Sequence, residues 1–96
     1  MIVRFRPAAA AEVQTAREWY AQQREGLGAD FVKELRATVA AIKRGPTSFP
    51  LMSGSKDLRR ALMSRFPYGV FFVVSNRFAL VLAVAHLRRE PGYWKH

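Results

Sequence analysis

Apolar residues recur along this chain with two different periods, and the change from one to the other divides it. Ile2 to Arg6 alternates apolar and basic positions up to Pro7, which has no amide hydrogen to donate, so a short strand is predicted to stop there. From Ala8 to about Arg24 the period lengthens. Ala9, Val13, Ala16 and Tyr20 recur at steps of three and four, with Glu12, Gln14, Glu18 and Gln22 between them, which is the pattern of an amphipathic helix. Gly26-Leu27-Gly28 interrupts it, since each glycine costs a helix about 1 kcal/mol and permits a left-handed turn. Asp30 then sits in the opening turn of a second helix whose stripe is Phe31, Leu35, Val39 and Ile42 and which ends at Gly45-Pro46.

Thr47 to Lys56, with Pro50 and Gly54, lacks a period and is predicted to be a connecting loop. Beyond it the pattern is that of strands: about Leu58 to Phe66, Gly69 to Ser75, and Phe78 to His86, with Asn76-Arg77 as a tight turn. Connections this short make the three antiparallel neighbours. The expected fold is α+β, with an N-terminal strand and a two-helix hairpin packed on a three- to four-stranded antiparallel sheet. At 96 residues it should be a single domain spanning 1–96.

Composition narrows the chemistry. The absence of cysteine excludes disulfides and thiolate chemistry, and is compatible with a reducing compartment. No signal peptide or membrane-length apolar run appears, so a cytoplasmic, soluble protein without membrane contact is expected. The formal charge is +9, and it is uneven: residues 1–48 carry eight Lys/Arg against five Asp/Glu, residues 49–96 eight against two. Nucleic acid or an acidic protein partner would each answer that excess.

The basic residues fall into two groups. Arg59, Arg60 and Arg65 lie on the first meander strand, where alternation sends Arg59 and Arg65 to one face and Arg60 to the other. They either contact an anionic partner or are solvated cover for a sheet face. At or just past the end of the final strand, His86, Arg88, Arg89, Tyr93 and Trp94 are presented on a rigid base. Alternation places His86 with Leu80, Leu82 and Val84, and Glu90 is the acid nearest in sequence that could fix its tautomer. His86 reads as a structural histidine or as an acid–base group. Arg88 and Arg89 suit phosphate or carboxylate, and Trp94 suits stacking or sealing of the core. With two histidines and no clustered carboxylates, no metal and no cofactor is expected.

The strand ending in Pro7, the helix with Glu12 and Trp19-Tyr20, Gly26-Leu27-Gly28 with Phe31, the Pro46 to Pro50 loop, Arg59-Arg60, Phe66-Pro67-Tyr68-Gly69-Val70-Phe71-Phe72-Val73 and His86-Leu87-Arg88-Arg89-Glu90-Pro91 together resemble the RelE/ParE toxin superfamily, in its ParE-like, plasmid-stabilisation branch. The resemblance implies a toxin of a type II toxin-antitoxin module, neutralised by a cognate antitoxin. Two targets divide such proteins. ParE-like members poison DNA gyrase and thereby arrest growth, whereas RelE-like members are ribosome-dependent endoribonucleases acting on mRNA. Ribonuclease members place an arginine near the start of the middle meander strand, where this chain has Gly69. Trp94 falls near their aromatic acid–base position, and an indole exchanges no proton usefully at neutral pH.

A gyrase inhibitor that is not an enzyme is therefore the expectation, with RNA cleavage as the alternative and a non-toxic antitoxin-binding remnant as a third. If the chain is a ribonuclease, His86, Arg88 and Arg65 are its catalytic candidates, with Lys56 as a further phosphate clamp. Arg59, Arg60, Arg65, Arg88, Arg89 and Trp94 are the candidates for contact with target or partner. An exposed strand edge and Trp94 are compatible with a homodimer and with cover by the antitoxin alike.

Overall fold

The computed structural model describes residues 1–89; Glu90, Tyr93, Trp94 and His96, singled out above, lie outside them. The described chain runs β1 (Ile2–Phe5), α1 (Pro7–Gln23), α2 (Leu27–Arg44), a short 3-10 turn (Pro46–Ser48), β2 (Arg59–Leu62), β3 (Tyr68–Val74) and β4 (Phe78–His86). The strands form one sheet in the order β1-β4-β3-β2. β2, β3 and β4 are the antiparallel meander expected, but β1 joins the outside of β4 in parallel, so the sheet is mixed. Parallel neighbours need a long crossover, and here both helices and the rest of the sheet lie between them in the chain.

Each helix begins for a local reason. Pro7 opens α1 at a position where a missing amide costs nothing. Gly26 precedes α2 with φ 85°, a left-handed backbone that favours glycine. The turn between helices is tighter than its glycines suggest, for α2 begins at Leu27 and Gly28 lies inside it. A β-carbon at Gly28 would sit 2.7 Å from the Arg17 carbonyl oxygen and 3.1 Å from Ala21 Cβ, so the residue lets α2 pass close over α1. Gly28→Ala should therefore force the helices apart and cost about 1–2 kcal/mol in a urea titration.

The core between helices and sheet joins Ala9 and Ala16 of α1, Phe31, Leu35 and Ile42 of α2, and Ala61, Val70, Phe72, Ala79, Val81 and Val84 of the strands. Phe31 is completely buried and meets Tyr20, Phe66 and Tyr68 at ring-centroid distances of 5.4, 5.3 and 5.1 Å. A second cluster, Leu58, Phe71, Ala83 and Ala85 with Met52, Val73 and Leu82, lies on the opposite face of the sheet and contains no helical residue.

Two departures from simple alternation shape the rest. β2 ends at Leu62 rather than Phe66: Met63 N–H donates to the Tyr68 carbonyl, Arg65 is left-handed at φ 70°, and the chain turns so that Phe66 enters the helix-side core. Arg65 is thus not on a strand face. In β4, Phe71 pairs with Ala83 and Phe72 with Val81, leaving Leu82 as an extra residue. This β-bulge reverses the phase of everything beyond it. Ala79, Val81 and Val84 all join the helix-side core, whereas Leu82, Ala83 and Ala85 belong to the other face. His86 shares a face with Val84, as expected, but it is the face opposite Leu80 and Leu82.

The loop after α2 is stitched to β2. Leu51 bridges to Arg59, Met52 N–H donates to the Leu58 carbonyl at 2.7 Å, and the Arg59 guanidinium reaches the carbonyls of Thr47 and Phe49 at 3.2 and 2.6 Å. Ser75 closes the turn at Asn76-Arg77 through both its amide and its hydroxyl, which donate to the Phe78 carbonyl. No helix among the described residues is long and apolar enough to cross a membrane.

Candidate functional site

β1 is shorter than β4, and the difference creates the site. Pairing stops at Phe5 and Val81, so beyond them the outer edge of β4 has no strand beside it among the described residues. Side chains at the start of α1 serve instead. Arg6 Nε donates to the Leu82 carbonyl at 2.9 Å, and Glu12 Oε1 accepts the Val84 amide hydrogen at 3.0 Å. The other oxygen of Glu12 lies 4.0 Å from Arg89 Nη1. One carboxylate thus joins α1, the free edge of β4 and the basic segment that follows it.

Where α1 and the end of β4 diverge, a groove of about 540 Å³ opens between them. Ala16 and Val84 form its floor, Trp19, Tyr20 and Tyr68 an aromatic wall, and Glu12, His86 and Arg89 its polar rim. The His86 ring packs on Tyr68 with centroids 5.3 Å apart, and its Nδ1 accepts the Arg88 amide hydrogen at 3.1 Å. Nδ1 is thus an acceptor, and the neutral ring carries its proton on Nε2.

The Tyr20 and Tyr68 rings meet in this wall with centroids 6.1 Å apart. Burial pushes the Tyr20 hydroxyl above its ordinary value of 10.0, a shift that the neighbouring Tyr68 hydroxyl partly offsets. Tyr68 is raised as well, first by burial, then by the neighbouring Tyr20 hydroxyl, and last by the Glu12 charge. Both phenols therefore hold their protons longer folded than unfolded. Their stabilising effect is complete below pH 10 and is lost as pH rises through the higher folded values. Absorbance at 295 nm should show two of the three tyrosines titrating later than the free amino acid, with unfolding accompanying their ionisation.

The arginines singled out in the sequence do not converge on one place. Arg59 is spent on the Thr47 and Phe49 carbonyls, and Arg65 pairs with Asp30 and Glu34 of α2 at 3.5 and 3.6 Å. Arg60 lies on the helix-free face, its stem over Gly69. Arg88 and Arg89 are exposed beyond β4. Among the described residues, the guanidiniums of Arg60 and Arg88 have neither a hydrogen bond nor an ion pair. Lys56 lies in the loop, exposed. No group of three or more potential metal ligands occurs among the described residues.

Glu12 and the aromatic wall went unremarked in the sequence as parts of a site. Glu12 looked like polar filler of a helix face, and only the unequal lengths of β1 and β4 give it a backbone amide to hold.

The comparisons with known proteins agree with this architecture. The family model for the ParE toxin of the type II toxin-antitoxin system parDE matches residues 3–91. No curated protein matches in sequence. A solved structure of the chromosomal ParDE toxin-antitoxin system from P. aeruginosa superposes with a TM-score of 0.76 at 17% identity, covering 90% of this chain and 95% of that one. A match over nearly the whole length, on the helix hairpin and meander described above, makes this chain a member of the ParE toxin family of type II toxin-antitoxin systems.

Proposed function

We propose that this toxin, acting in the cytoplasm as a single domain of residues 1–96 and held in check by a cognate antitoxin, inhibits DNA gyrase and thereby arrests growth, without cleaving RNA itself. The observation that carries this reading is the dispersal of the groups an RNA-cleaving site would need. Arg65 is engaged by two carboxylates on α2, and His86 turns into the groove beside α1. Gly69 stands where ribonuclease relatives place an arginine, and the space above it is filled by the stem of Arg60 and the ring of Phe71. In-line attack by a 2′-hydroxyl needs an acid, a base and a cation around one phosphate. Among the described residues, Arg65 and His86 are not brought together around one such point.

Inhibition by binding needs only a rigid surface of suitable charge, and the exposed Arg88 and Arg89 after β4 offer one. The test is ATP-dependent supercoiling by purified gyrase, with a gyrase-free control. Loss of supercoiling together with trapped, gyrase-dependent plasmid cleavage is expected. Cleavage of mRNA on translating ribosomes by the unaltered protein would overturn the reading in favour of the ribonuclease, and unrestricted growth with folded toxin would favour a non-toxic remnant. The double variant Arg88→Ala/Arg89→Ala should inhibit gyrase at least tenfold less well. Its melting temperature should be little changed, because the pair of Arg89 with Glu12 is long, at 4.0 Å, and the arginine side chain is more than half exposed.

A further inference from the structure

β4 ends at His86, and the turn that follows gives each of its amides an acceptor. Leu87 N–H donates to the Pro67 carbonyl and Arg89 N–H to the His86 carbonyl, both at 2.9 Å. The Arg88 amide between them is met by a side chain: His86 Nδ1 accepts it at 3.1 Å. The first position of such a turn is usually Asp, Asn or Ser, whose short side chains accept the amide two residues on. Here histidine does this with the ring nitrogen nearer the backbone. The ring is itself held, edge-on against Tyr68, its partner across β3, with planes 72° apart, and it is half-buried beside α1. Arg88 and Arg89 are exposed, and long side chains in water point no more firmly than the backbone that carries them.

We propose that His86 is a positioning residue for target binding: its Nδ1 clamps the Arg88 amide and thereby sets the direction in which Arg88 and Arg89 leave the sheet, so that the imidazole serves as a hydrogen-bond acceptor and not as an acid or base. This role rests on the gyrase reading above. Two guanidiniums bind less well when the turn that carries them must be ordered at the moment of docking, and a turn already fixed by strand, ring and side-chain acceptor avoids that cost. Glu12 acts on the same segment through the Arg89 side chain, whereas His86 acts on its backbone. Histidine combines two features here that other residues supply singly. Asparagine carries an acceptor at the same distance from the backbone but no ring, and phenylalanine carries the ring but no acceptor.

The test compares wild type, His86→Asn and His86→Phe as inhibitors of ATP-dependent supercoiling by purified gyrase, with hydrogen exchange at the Arg88 amide followed by NMR. His86→Asn should stay within about twofold of wild type in both measurements. His86→Phe should inhibit about fivefold less well or worse, with Arg88 exchange quickened by a similar factor and the Leu87 amide unchanged. Nitrogen chemical shifts of the wild-type ring should show Nδ1 as the unprotonated atom. A His86→Phe variant as inhibitory as wild type would overturn this role and leave the gyrase reading standing. Equal loss in the two variants would also overturn it, because the imidazole itself would then be what the target meets. If His86→Phe does not fold, His86→Asn still decides: retained inhibition supports the clamp, and lost inhibition from folded protein refutes it. A wild-type chain without effect on gyrase would overturn the gyrase reading and this role with it.

Discussion

Phe31→Ala is expected to lower the unfolding free energy by about 3–5 kcal/mol, enough to leave a domain of this size largely unfolded or close to it at 37 °C. The side chain is fully buried and lies where α2, the turn before β3 and the aromatic wall of the groove meet. Truncation removes apolar surface and also leaves a void between rings that cannot collapse together, because Tyr20 already packs on Phe66 at 4.8 Å between centroids and Phe66 is held by the turn at Arg65. Urea denaturation followed by far-ultraviolet circular dichroism measures the loss. Phe31→Leu, which refills most of the volume, should recover more than half of it. A cost below 1 kcal/mol for the alanine variant would mean that the helices settle onto the sheet without this ring.

The two helices, the meander and the turn at Asn76-Arg77 were legible in the sequence because each is signalled by residues near one another: the stripe Phe31, Leu35, Ile42, the proline at position 7, and apolar runs separated by two polar residues. What was not legible depends on pairing between distant segments. Parallel docking of β1 against β4 follows from where the helix hairpin returns the chain, which no local pattern records. The bulge at Leu82 is invisible in a run that is apolar on both sides, since shifting the phase exchanges one aliphatic residue for another. It nevertheless decides which face His86 joins. Arg65 could be assigned to a strand only while β2 was thought to continue; a left-handed backbone at a residue other than glycine has no reliable sequence signal.

Glu12 offers the second large effect, and it separates two roles of one carboxylate. Glu12→Ala should cost about 2–3 kcal/mol, because the Val84 amide loses a charged acceptor beyond the point where β1 stops pairing with β4. Glu12→Gln keeps an oxygen at the same position and gives up only the charge, so stability should stay within about 1 kcal/mol of wild type. Hydrogen exchange at the Val84 amide should quicken in the alanine variant and hold in the glutamine variant. Tyr68 supplies an independent readout: the Glu12 charge is one of the causes raising its hydroxyl, so both variants should let Tyr68 ionise at lower pH than in wild type. Stability that falls equally in the two variants would assign the role to the ion pair with Arg89 and not to the backbone. The expected split, with glutamine stable and alanine not, makes the carboxylate the substitute for the strand that β1 is too short to provide, and fixes through it the direction in which Arg88 and Arg89 leave the sheet.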